Sequence, residues 1–128
     1  MASKFTELAI DCTNPTLLAQ VWCAVLDYET QSEEPDLITI GSPQFPDPKS
    51  HLGPIPPTLT FAQVPEPKTT KNRLHLDINP TDRSQSEEVA RLLSLGANHT
   101  DVGQGDAPWV VLADPEGNEF CVLATRHP

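Results

Sequence analysis

No stretch of the 128-residue chain approaches the roughly 20 consecutive apolar residues of a membrane span, and Met1 to Lys4 lead into no apolar run of signal-peptide length. A cytosolic protein is the expectation from these absences. Basic residues are also scarce: eight Lys and Arg against 18 Asp and Glu leave a net charge of −10. That charge repels nucleic-acid phosphates and anionic headgroups, so neither nucleic acid nor a membrane is expected as a partner. Cys12, Cys23 and Cys121 are odd in number, with no close pair and no CxxC, which argues against a disulfide scaffold or a zinc finger. Cys12 and Cys23 read as packed free thiols. The length suits a single domain that buries roughly two-thirds of its unfolded surface.

Apolar periodicity then divides the chain into two similar halves. Phe5 to Cys12 alternates as a half-covered strand, with Leu8 and Ile10 on one side and Glu7, Ala9 and Asp11 on the other. A helix follows, with Asn14 as N-cap, Pro15 at its first position and Leu17, Leu18, Val21, Trp22, Val25 and Leu26 at helical spacing. The order returns 68 residues on: Leu74, Leu76 and Ile78 alternate with His75, Asp77 and Asn79. Ser84 and Glu87 can form a capping box ahead of Val89, Leu92, Leu93 and Leu95, and Gly96 fits a left-handed stop. Leu26-Asp27-Tyr28 stands where Leu95-Gly96-Ala97 stands, the mark of an internal duplication.

Beyond the second helix, Asn98 to Val102, Trp109 to Ala113 and Glu119 to Ala124 read as strands, the last two flanking the turn Asp114 to Asn118. In the first half Leu37 to Ile40 and Leu59 to Val64 are strands, separated by a proline-rich loop (43–57) that admits no central strand. Such a loop serves either as a lid or as a surface excursion. Gly103 to Asp106 is too short for a phosphate-binding loop and reads as a turn.

Glu7 to Cys12 leading into Asn14-Pro15, Val64 to Lys68 before Asn72 to Asp77, and Trp109 to Phe120 with its Asp-Pro-Glu-Gly-Asn turn together resemble the vicinal-oxygen-chelate (glyoxalase, bleomycin-resistance and dioxygenase) superfamily, in particular its glyoxalase-like proteins. The resemblance spans almost the whole chain. It implies an α+β fold in which two βαβββ modules, about 1–67 and 68–128, form one domain around a shared cavity. It also implies a small-molecule ligand and a homodimer as an open option. Metal-dependent members take His, Glu or Gln ligands from the first and last strand of each module, where the ion acts as Lewis acid and template.

Carried onto this chain, the pattern puts Glu7 and His75 at first-strand ligand positions and Cys121 where a glutamate is usual. In the first module the last-strand counterpart is Phe61 or Gln63. Glu7, Gln63, His75 and Cys121 would suit one divalent ion (zinc, nickel, manganese or iron). Without metal, His75 beside Asp77 or Glu7 could move protons, while Asp11, Phe61, Gln63 and Trp109 would line the ligand. Simpler readings stand beside these: solvated polar strand faces, a hydrogen-bonded strand histidine, a packed thiol at Cys121, core aromatics, and a solvated connector for Lys68, Lys71 and Arg73. The first reading is therefore a glyoxalase-like protein that binds a small polar or aromatic metabolite, either as a sequestering module or as an enzyme lacking a complete metal site; the second is a metal-dependent lyase, isomerase or dioxygenase using Glu7 and His75. A partner-binding domain without chemistry is the third option.

Overall fold

The computed structural model describes residues 2–128. The first of two compact units ends at Pro67, and the second is Lys68–Pro128. The first contains β1 (Glu7–Cys12), α1 (Pro15–Leu26), β2 (Glu29–Glu34), β3 (Leu37–Gly41) and β4 (Thr58–Gln63). The second contains β5 (Asp77–Ile78), α2 (Gln85–Ser94), β6 (Asn98–His99), β7 (Val110–Ala113) and β8 (Glu119–Val122). Each is a βαβββ module with a four-stranded mixed sheet, in the orders β1-β4-β3-β2 and β5-β8-β7-β6. The first and last strands of each module pair in parallel, and the other pairs are antiparallel. No helix among the described residues is long and apolar enough to cross a membrane.

Both helices start and stop by the same local chemistry. The Asn14 side chain accepts from the Leu17 N–H at 3.1 Å, and Ser84 Oγ accepts from the Glu87 N–H at 3.2 Å, each satisfying one of the donors a helix start leaves free. At the C-termini Asp27 (φ 54°) and Gly96 (φ 111°) take left-handed conformations. The next residue then donates back five positions, Tyr28 to Cys23 O and Ala97 to Leu92 O, both at 3.1 Å. The duplication thus reaches the closing bond of the Schellman type, achieved once with glycine and once with aspartate.

Register separates two faces in each sheet. In the first, Leu8 pairs with Leu59 and Ile10 with Phe61, while Ile38 and Ile40 sit opposite Phe61 and Leu59. Leu59, Phe61, Ile38 and Ile40 form a core with Leu18 and Trp22 of α1, flanked by half-buried Leu8 and Ile10, and burial of such side chains at about 1.5–3 kcal/mol each dominates the stability of the unit. The opposite face carries Glu7, Asp11, Thr39 and Thr60. In the second unit, Ile78, Leu112, Phe120 and Val122 share one face by register, leaving Asp77, Val111, Glu119 and Cys121 on the other.

Three strands differ from the sequence expectation, β2, β5 and β6, the last only Asn98–His99 where Asn98 to Val102 was expected, whereas the proline-rich loop is free of strand as expected. β2 was not foreseen, because ETQSEE carries no apolar alternation; its six residues are exposed or half-buried, and it exists by pairing with β3 around a bulge at Thr30/Ser32. Such a charged, bulged edge strand also resists pairing with other chains. β5 is only Asp77–Ile78 rather than the full alternating stretch Leu74 to Asn79, and Leu74 lies 82% exposed instead of packing. The proline-rich loop holds only a 3-10 turn, Pro48–Ser50, and is tied down by Lys4 Nζ to His51 O (2.8 Å), Tyr28 OH to Pro57 O (3.0 Å) and an edge-to-face contact of Phe45 with His51.

Candidate functional site

The polar face of the second sheet gathers three groups of different chemistry. Asp77 on β5 is level with Cys121 on β8, and His75 lies two residues before Asp77, so all three side chains emerge on one side. His75 Nδ1 is 3.3 Å from Asp77 Oδ1 and 3.9 Å from Cys121 Sγ. A nitrogen, an oxygen and a sulfur, one from each residue, lie within 4.8 Å of one another. His75 and Asp77 are open to solvent, their side chains 43% and 49% exposed, whereas Cys121 is buried at the floor. Burial, reinforced by the charge of Asp77 and its hydrogen bond, pushes the Cys121 thiol up; Lys71 opposes this only in part. Without a cation the sulfur is therefore a thiol at neutral pH.

The donor set fits a metal ion. Ligand bonds of about 2.0–2.3 Å at tetrahedral angles separate neighbouring donors by roughly 3.3–3.8 Å. Two edges, 3.3 and 3.9 Å, lie at the ends of that range, and the third, between Asp77 and Cys121, is within 4.8 Å. Mixed N, O and S donors favour zinc over the harder manganese.

Glu119 stands two residues before Cys121 on the same face of β8. Its carboxylate takes Lys68 Nζ on Oε1 at 2.8 Å and the Asn72 backbone N–H on Oε2 at 3.1 Å. Burial alone would raise its pKa, but these hydrogen bonds and the Lys68 charge hold it below the ordinary carboxylate range. The turn leading into β8 is equally built. Asp114, 2% exposed, accepts the Glu116 and Asn118 N–H groups on Oδ1 (2.9 and 3.0 Å) and the Asn118 side-chain amide on Oδ2 (2.9 Å).

In the first unit Glu7 accepts a hydrogen bond from Thr60 Oγ1, which itself meets Thr39 Oγ1 at 2.9 Å. Thr60 is level with Ala9, two residues past Glu7, just as Cys121 is level with Asp77, two past His75. Taking Glu7 as the equivalent of His75, as expected from sequence, register puts Thr60 rather than Phe61 or Gln63 in the place of Cys121. Phe61 is fully enclosed in the core, and Gln63 stands at the end of β4, its amide 3.5 Å from Thr13 O. Asp11 is exposed on β1, and Trp109 is 42% exposed just before β7. The structure therefore brings His75, Asp77 and Cys121 together and pairs Glu7 with Thr60. Sequence reasoning did not single out Thr60 or Glu119 and did not place Asp77 beside Cys121; strand register shows the last of these.

Comparison with known proteins agrees with this architecture. Residues 7–123 match the family described as "Glyoxalase-like domain". The chain belongs to that family, and with it to the vicinal-oxygen-chelate superfamily. A glyoxalase/bleomycin resistance protein/dioxygenase family enzyme from Burkholderia phytofirmans PsJN superposes with a TM-score of 0.68 at 12% identity, over 94% of this chain and 97% of that one. The fosfomycin resistance protein FosX from Listeria monocytogenes gives 0.69 at 9% identity, over 98% and 93%. A mutant form of that protein, complexed with Mn(II) and 1S,2S-dihydroxypropylphosphonic acid, gives 0.66 at 8%, over 97% and 90%. At such identities the likeness concerns the fold. No curated protein matches.

Proposed function

We propose that the protein binds a small polar metabolite at a divalent-cation site formed by His75, Asp77 and Cys121. The observation that carries this reading is the convergence of three chemically distinct donors within 4.8 Å on one sheet face. When bound, a zinc ion there supplies Lewis acidity toward an oxygen of the ligand. The residues themselves hold the cation, and the exposure of His75 and Asp77 leaves the ligand a way in. Trp109 of the same unit, 42% exposed, is accessible to such a ligand, while Glu7, Asp11 and Gln63 offer polar groups within the first unit. Enclosed Phe61 contributes only through packing. The Mn(II) and diol phosphonate held by the FosX mutant form are in keeping with a cation and an oxygen-rich ligand in this fold.

A metal-free reading has its own support in the raised thiol and the 3.3 Å His75–Asp77 pair. With Nδ1–H donated to Asp77, Nε2 of His75 is left as a base for a bound substrate. Metal analysis of protein purified without chelator separates the two. The cation reading expects about one equivalent of zinc, lost in H75A and C121A. Protein that is metal-free, and not stabilised by added zinc, nickel, manganese or iron, would transfer the function to the His75–Asp77 pair.

A further inference from the structure

His75 lies outside regular structure: β5 begins at Asp77, and Arg73 and Leu74 bend away, with Leu74 largely in solvent. An exposed histidine in such a segment has no sheet ladder of its own to fix it. Two anchors on β8 nevertheless bracket it. On the C-terminal side the Cys121 N–H donates to Leu76 O at 2.9 Å. On the N-terminal side the Glu119 carboxylate holds the Asn72 N–H at 3.1 Å and Lys68 at 2.8 Å. Asn72 is pinned a second time, its amide donating to Asn118 Oδ1 at 3.2 Å, and Asn118 is itself oriented by Asp114. Both Glu119 oxygens are thus occupied by the connector.

We infer that Glu119 is a positioning residue for His75: by gripping Lys68 and Asn72 it sets where the imidazole stands relative to Asp77 and Cys121. The inference rests on the cation reading for its functional meaning but not for its test. Partners of this kind orient ligands without touching the ion, and their loss costs about 10–100-fold in metal affinity.

The test follows the ring of His75 by 15N NMR in metal-free wild type, E119Q and K68M. The chain has four histidines, so H75A assigns the signals. R91M, which breaks the distant Glu88–Arg91 pair on α2, serves as a control for general destabilisation. Expected are a fixed Nδ1-bonded ring in wild type and R91M, averaged ring signals in E119Q, and a smaller change in K68M, which carries the test if E119Q does not fold. Zinc affinity should fall about 10–100-fold in E119Q and remain unchanged in R91M. Unchanged His75 signals in E119Q and K68M would overturn the positioning role even if wild type binds zinc. Wild type that binds no zinc would defeat the cation reading alone, since the ring test still decides.

Discussion

Removing the Asp114 carboxylate should cost more stability than its place in a surface turn suggests. Three donors converge on it: the Glu116 and Asn118 N–H groups share Oδ1, and the Asn118 amide reaches Oδ2. D114A leaves two backbone N–H groups without this acceptor, each worth about 1–3 kcal/mol, moderated here because residues 115–118 are only half-buried. The sum is about 3 kcal/mol, a large fraction of the roughly 5–15 kcal/mol that holds a domain together. D114N preserves Oδ1 for both backbone donors and exchanges only the Oδ2 contact, so its cost is about 1 kcal/mol. For a chain of this size each kcal/mol lowers Tm by about 3–6 °C. Urea unfolding of the three proteins gives the values directly, with an unchanged m-value expected. D114A within about 1 kcal/mol of wild type, or D114N as damaging as D114A, would refute this account of the turn.

Other expectations follow from the same physics. Because burial and Asp77 keep the Cys121 thiol protonated, zinc binding near neutral pH should release about one proton from it; calorimetry in two buffers of different ionisation heat reads this, and C121A should abolish the release. Glu119 has a folded pKa below its unfolded value, so its stabilising contribution is complete above the unfolded carboxylate pKa of about 4.3 and is lost as pH falls through the folded value; E119Q should flatten that acid limb of the stability curve. Replacing either helix cap, as in N14A or S84A, should cost about 1 kcal/mol, measured by thermal or urea melts.

Much of the fold was legible because its determinants are local. Asn14-Pro15 and Ser84 announce helix starts, Asp27 and Gly96 their ends, and alternation in Glu7 to Cys12 a strand with one covered face. β2 was illegible for the opposite reason: its polar, largely exposed residues are held by ladder bonds to β3, so no burial pattern marks them. The candidate site was partly legible. His75, Asp77 and Cys121 stood out by type, but their convergence depends on the Asp77–Cys121 register, which is a long-range property. Register likewise made Thr60 rather than Gln63 the counterpart of Cys121, and the clamp of Glu119 on Asn72 spans 47 residues of sequence.

The most direct test of a cation held by His75, Asp77 and Cys121 is X-ray absorption at the zinc edge on the zinc-loaded protein. One sulfur neighbour at about 2.3 Å, with nitrogen and oxygen neighbours at about 2.0–2.2 Å, is the expected first shell, and the sulfur should vanish in C121A. A shell without sulfur in the wild type, or failure to take up zinc at all, would contradict it.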